Sequence, residues 1–247
     1  QLDFILRQAS HCSSAEKSAF QTIAEASRVK ALELVSGGLS DQFNFLANTQ
    51  KMADLRLHYD NIPNNTAGLG TNKARAALAT QAIMNGVSRA VTVQVAGGFD
   101  THYSNWQTNQ ATNQMGGFSL VARMIEDLAA NEYKGTGTSW LDHTNIVCFS
   151  EFSRTPMINA QGGRDHWLGN SALLVGGDIK GGQIIGASSN VGMQPQAVNL
   201  ATGEVDVNEG DVLKPEHILR TLLHAGGVQG DPADLRAKPI MALLKNA

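Results

Sequence analysis

Residues 145–177 read NIVCFSEFSRTPMINAQGGRDHWLGNSALLVGG, and the reading of this stretch decides the fold. An apolar run ends at Ser150-Glu151. An irregular segment follows, punctuated by Gly162-Gly163-Arg164-Asp165-His166-Trp167, and a second apolar run begins at Ala172. Short apolar runs bounded by turn residues read as core strands. Two strands thus bracket a loop rich in reactive side chains: Glu151, Arg154, Arg164, Asp165 and His166.

Upstream, residues 90–95 (AVTVQV) are β-branched and short, which predicts another strand. It ends in Gly97-Gly98-Phe99-Asp100-Thr101-His102. Next, Phe118, Val121, Ala122, Ile125, Leu128 and Ala129 keep a helical period, and Gly135-Thr136-Gly137 closes that helix. Strand, helix, strand, loop, strand predicts an α/β fold with a mostly parallel sheet flanked by helices. Such sheets bind ligands beyond the carboxyl ends of their strands. Asp100, His102, Glu151 and Arg154 would all lie there, with Asp165 and His166 in the loop returning from the same side.

The flanks read more simply. Ser13-Ser14-Ala15-Glu16 fits a capping box, and Phe20, Ile23, Ala24, Ser27, Ala31, Leu34 and Val35 recur at helical spacing up to Gly37-Gly38. Ser40 or Asp41 caps a second helix with Phe45, Thr49, Met52, Arg56 and Tyr59 on one face. A third runs from a Thr71 cap to Asn85, stopped by Gly86. Late in the chain, residues 197–200 and 204–207 around Thr202-Gly203 predict a hairpin. Pro215 opens a helix whose buried face is Leu219, Leu222 and Leu223. The chain reads as one domain over 1–247: a helical part at 1–88, a site-bearing core at 89–186, and a hairpin and C-terminal helix at 187–247.

Composition excludes several classes. The chain has 247 residues and a net charge of -3, without a basic cluster, so no electrostatic argument favours nucleic acid. No apolar stretch approaches the ~20 residues that span a bilayer. The 2 cysteines, Cys12 and Cys148, make no disulfide framework, and Cys148 reads as a buried thiol. There is no GxGxxG opening a helix and no GxSxG elbow.

Asp100, His102, Glu151 and His166 form a mixed nitrogen and oxygen set that suits zinc, manganese or iron; calcium and magnesium prefer more carboxylate. Each residue has a plainer alternative. Asp100-Thr101-His102 is also a common turn, and Glu151 can pair with Arg154. Arg154 and Arg164 can clamp an oxyanion or neutralise Asp165 or Glu151. Asp165 can orient a histidine rather than bind metal. Trp167 reads as a packing residue. Among the other histidines, His217 reads as solvated and His224 as a helix-end cation, while His11, His58 and His143 lack supporting neighbours in sequence.

Four motifs in order, GGFDTH at 97–102, FSEFSRTP at 149–156, GGRDHW at 162–167 and GGDIKGG at 176–182, resemble an exported bacterial family known as domain of unknown function 1501. That family is placed in the alkaline phosphatase and sulfatase superfamily. The resemblance is strong over 89–186. It implies a hydrolase of phosphate or sulfate esters that uses a divalent metal (zinc, calcium, manganese or magnesium). Asp100, His102, Glu151 and His166 would be ligands, and Arg154 or Arg164 would hold the anion. It implies twin-arginine export to the periplasm or beyond, and a small anionic ester or a polysaccharide as substrate. The superfamily's early metal-binding strand and its nucleophile have no counterpart before Ala90, and no Cys-x-Pro-x-Arg or Ser-x-Pro-x-Arg occurs. The expectation is therefore the C-terminal portion of a longer protein, lacking the N-terminal strands, which another portion or a partner chain would supply. The rival expectation is a non-catalytic exported surface or assembly protein with a degenerate site.

Overall fold

A computed structural model describes residues 19–36 and 38–245. The capping box at 13–16, His11, Cys12 and Gly37 lie outside the described residues. Helix α1 spans Ala19–Ser36, and its expected apolar positions Ile23, Ala24, Ala31 and Val35 are exposed.

The second expected helix is divided. Helix α2 is Leu39–Phe43 and α3 is Gln50–His58, with Thr49 as the cap of α3, its Oγ1 accepting from the Met52 amide at 3.3 Å. Arg56 explains the break. Its Nη1 donates to the carbonyls of Phe45 at 2.6 Å and Ala47 at 3.1 Å, satisfying backbone acceptors that a continuous helix would have used itself. Helix α4 is Thr66–Leu69. Helix α5, Asn72–Met84, starts as expected with Thr71 Oγ1 accepting from the Ala74 amide, and Gly86 follows with φ 67°. Its small residues Ala74, Ala76 and Ala77 are buried, which admits the long helix α6, Trp106–Ala130, closely alongside.

Phe45, Met52, Leu55, Tyr59, Ile62 and Leu120 complete this helical core. The buried face of α6 is Gly117, Leu120, Val121 and Leu128, whereas Phe118, Ala122 and Ala129 are exposed, so its apolar stripe is rotated from the expected one. Tyr59 is fully buried and its hydroxyl donates to Asp127 Oδ2 at 2.9 Å. Burial, with the Asp127 charge, pushes its phenol up and keeps it a neutral donor. Tyr59→Phe is expected to cost about 1–2 kcal/mol in urea unfolding, because it leaves Asp127 Oδ2 with only the long bond from Gln81 Nε2 while keeping the ring.

The parallel sheet is not formed. Among the described residues every strand pairs antiparallel, in two-stranded sheets. β1 (Asn145–Phe149) pairs with β4 (Ala172–Gly176), and β2 (Ser153–Arg154) pairs with β3 (His166–Trp167). The connection explains the direction. A parallel return needs a crossover, usually helical, but residues 150–171 fold back through β2 and β3 and make one long two-tier hairpin. Three residues, 150–152, oppose four, 168–171, between the tiers, which is the surplus of a bulge. Asn170 closes it, its Nδ2 donating to the Ser150 carbonyl at 2.6 Å.

Residues 90–95 form no strand and join no ladder. Val95 packs on the helical core and a Cβ on Gly117 would meet the neighbouring Ala96 Cβ at 2.8 Å, while Val91 stays exposed. Cys148 on β1 is a half-buried free thiol, pushed up by burial.

Towards the C-terminus, Val198 bridges Val205 and the Asn199 amide donates to the Glu204 carbonyl at 2.8 Å, as the expected hairpin requires. β5 (Ala197–Val198) also pairs with β6 (Asp211–Val212). Helix α7, Pro215–Ala225, buries His217, Arg220 and Thr221 and leaves Leu219 exposed. His217 is thus not solvated; its Nδ1 accepts from the Lys214 amide at 3.1 Å. No helix among the described residues is long and apolar enough to cross a membrane.

Candidate metal centre

The site is built where the tip of the long hairpin meets the loop after residues 90–95. α6 holds that loop: Gln110 Nε2 donates to the Phe99 carbonyl at 3.0 Å and to Thr101 Oγ1 at 2.9 Å, and Asn113 Nδ2 to the Gly98 carbonyl at 3.0 Å. Thr101 is buried, which turns Asp100 and His102 outward on either side of it.

The hairpin tip docks on the same loop. The Arg164 amide donates to the Thr101 carbonyl at 3.0 Å, and Tyr103 bridges Gly162. Gly163 permits the approach, since a Cβ there would stand 2.0 Å from the His102 carbonyl carbon and 2.2 Å from the Tyr103 amide nitrogen. Asn159 organises the tip. Its Oδ1 accepts from the amides of Gln161 at 3.0 Å and Gly163 at 2.9 Å, while its Nδ2 donates to Asp165 Oδ1 at 2.8 Å and the His102 carbonyl at 3.1 Å.

This docking brings Asp100, His102 and His166 together, with one ligand atom from each within 4.8 Å of the others. Asp100 Oδ1 lies 2.9 Å from His102 Nε2 and 3.5 Å from His166 Nε2, and the two imidazole nitrogens are 3.2 Å apart. On the far side of its ring, His102 Nδ1 lies 2.8 Å from Asp165 Oδ1. With a proton on Nδ1, toward Asp165, the Nε2 lone pair faces the cluster. A carboxylate behind a histidine is the usual support of a metal ligand. Phe152 holds His166 from the other face, with ring centroids 4.1 Å apart.

Two imidazoles and a carboxylate converging with their acceptors facing one another fit a divalent cation, and the cluster could hold one. Both carboxylates are held below their usual range. For Asp100 the main cause is the hydrogen bond from Arg154, with His166 and His102 adding to it. For Asp165 it is the hydrogen bond from His102, then that from Asn159. Both therefore stay ionised, and able to ligate or orient, to lower pH than an unperturbed carboxylate would.

The remaining candidates separate. Arg154 belongs to the cluster, donating from Nη2 to Asp100 Oδ1 at 3.0 Å, with Nη1 3.3 Å from His102 Nε2. It stands directly across the β2–β3 ladder from His166. Arg164 is engaged elsewhere: its Nη1 donates to the carbonyls of Thr155 and Pro156, its Cζ lies 4.2 Å from the Trp106 ring centroid, and its Nε is buried without a hydrogen-bond partner. It braces the hairpin against α6. Glu151 is exposed in the bulge between the tiers and does not join the Asp100, His102 and His166 group. His58 and His143 have structural partners: the Arg123 carbonyl at 2.8 Å for the first, Thr138 Oγ1 at 2.8 Å and the Tyr133 ring for the second.

Sequence reasoning passed over Asn159, Gln110, Asn113 and Phe152. Asn159 had a signal, an Asn just before Gly162-Gly163, where side-chain amides commonly close turns. Gln110 and Asn113 lie one helical turn apart on a polar stretch that no apolar period marks.

The family model described as "Protein of unknown function (DUF1501)" matches residues 5–206. The chain belongs to that family. No curated protein and no solved structure matches the chain.

Proposed function

We propose that this protein is a divalent-metal-dependent hydrolase of phosphate or sulfate esters. The observation that carries the reading is the convergence of Asp100 Oδ1, His102 Nε2 and His166 Nε2 within 4.8 Å. Two imidazoles favour zinc or manganese over calcium or magnesium, which take oxygen-rich sites. A divalent ion bound there would polarise an ester oxygen and lower the pKa of a water. Asp165 fixes the His102 tautomer, Phe152 limits the rotation of the His166 ring, and Arg154 supplies a guanidinium fork for two nonbridging oxygens of a tetrahedral anion. The resemblance to the phosphatase and sulfatase superfamily supports the same chemistry, and work in the periplasm or outside the cell after twin-arginine export is part of the proposal. Arg164 is not assigned to the anion, because its Nη1 serves the Thr155 and Pro156 carbonyls and its guanidinium lies over the Trp106 ring.

A second reading rests on the openness of the cluster. The Asp100 side chain is 76% exposed among the described residues, so it stands largely open to water. An open site of this kind also suits a non-catalytic exported surface or assembly protein that binds metal without turnover. One experiment separates the two. Protein loaded with Zn²⁺ or Mn²⁺ is assayed on p-nitrophenyl phosphate and p-nitrophenyl sulfate. Hydrolysis of either ester is expected, abolished by chelation, restored by metal and absent in His166→Ala. Metal binding without turnover of either ester selects the non-catalytic reading, and failure to bind any divalent ion removes the hydrolase and leaves a degenerate, non-catalytic site.

A further inference from the structure

We propose that Arg154 couples the metal to the anion: its guanidinium sits on the metal ligands as a counter-cation, and metal binding releases it to grip an oxyanion. The inference rests on the metal reading above. Its basis is where the guanidinium lies. Nη2 donates to Asp100 Oδ1 at 3.0 Å, and Nη1 stands 3.3 Å from His102 Nε2. These are two of the three atoms that converge as a ligand set. Arg154 therefore uses the lone pairs that a divalent ion would use.

The two compete. His102 Nε2 has a single lone pair, so a metal ion there displaces Nη1, and the charge of the ion repels the guanidinium from Asp100. Arg154 is tethered, its side chain only 14% exposed, its Cζ 5.5 Å from the Phe152 ring centroid and its place in the ladder fixed opposite His166. It cannot leave the neighbourhood; it can only turn its fork beside the ion. Without an anion, two cations then lie side by side. A phosphate or sulfate dianion relieves both, accepting two hydrogen bonds from the fork and facing the metal. Metal and anion should accordingly bind with positive cooperativity, and reciprocity requires each to raise the other's affinity by the same factor.

The test is a titration of the purified protein with Mn²⁺, followed by the loss of the aqueous Mn²⁺ electron paramagnetic resonance signal. It is run in chloride and in inorganic phosphate or sulfate at matched ionic strength. Phosphate or sulfate is expected to tighten Mn²⁺ binding at least about 5-fold, the lower end of ordinary coupling. In Arg154→Gln the Mn²⁺ affinity in chloride is expected to rise, because the competing cation is gone, and the anion effect should vanish. Arg154→Lys, which keeps charge without the fork, should retain only part of the anion effect. Mn²⁺ bound equally well with and without the anions overturns the coupling alone and leaves the metal reading standing. So does an anion effect that survives in Arg154→Gln, or a loss of Mn²⁺ affinity in that variant in chloride. No Mn²⁺ binding by the wild-type protein overturns the metal reading and this inference with it.

Discussion

Replacing His102 with alanine is expected to weaken Zn²⁺ or Mn²⁺ binding by more than about 100-fold, beyond the ~10–100-fold that loss of an outer partner costs. The expectation follows from the position of one ring. His102 Nε2 faces both Asp100 Oδ1 at 2.9 Å and His166 Nε2 at 3.2 Å, so it joins the other two ligands, while Nδ1 receives its orientation from Asp165. Truncation removes a ligand and leaves Asp165 with nothing to orient. The fold should survive, because the contact that docks the hairpin there uses the His102 carbonyl, which accepts from Asn159 Nδ2 and persists in alanine. Two further variants grade the effect. Asp165→Asn frees the ring without removing a ligand and should fall in the ~10–100-fold range. Glu151→Gln, outside the cluster, should change affinity less than about 2-fold, as a surface substitution away from the site does. Competition against a chromogenic chelator measures all three. A His102→Ala protein that keeps wild-type affinity and circular dichroism would place the metal elsewhere, and a large loss in Glu151→Gln would restore that residue as a ligand.

The contrast between His102 and Glu151 shows what a sequence can carry about such a site. Asp100, His102 and His166 were legible because their residue types are scarce and their positions, after a glycine turn and before an apolar run, bring loops together in almost any fold that pairs those runs. Glu151 met the same criteria. Glu151 falls instead in the exposed stretch between the two ladders, outside the cluster, a matter of register that composition does not encode. Arg164 failed for a related reason: its partners, the Trp106 ring and the Thr155 and Pro156 carbonyls, come together only once the hairpin lies on α6.

The fold itself divides along the same line. The Thr71 cap, the Gly86 stop and the buried face of Met52, Arg56 and Tyr59 are local or nearly so, and each is realised. The direction of the strands is not local. A β-branched run such as 90–95 states a preference for extended backbone but not for a partner. In this chain Val95 packs on the helical core instead, and Val91 stays exposed. The phase of α6 slipped for want of an anchor: over a helix of that length, Phe118 and Leu120 are equally apolar, and only Gly117 against Ala96 fixes which side is buried.

Gly163→Ala is the second substitution expected to act strongly, although it touches no ligand. A Cβ at that position would lie 2.0 Å from the His102 carbonyl carbon, 2.2 Å from its oxygen and 2.2 Å from the Tyr103 amide. All three are backbone atoms, so no side chain can swing aside and the two segments must separate. Separation breaks the Arg164 amide bond to the Thr101 carbonyl and carries Asp165 and His166 away from His102 and Asp100. A displacement of about 1 Å in a positioned group costs on the order of 100-fold in activity, and metal affinity should fall comparably. The helical core built from Phe45, Met52 and Tyr59 does not include this contact, so its unfolding midpoint should stay close to wild type. The discriminating readout is amide exchange at Arg164, which should accelerate in Gly163→Ala while core amides of α5 stay protected. Metal affinity and Arg164 protection both unchanged in the variant would mean that the hairpin does not need this approach to hold the site. Lost affinity with a collapsed core would mean instead that the docking contact stabilises the whole fold and not the site alone.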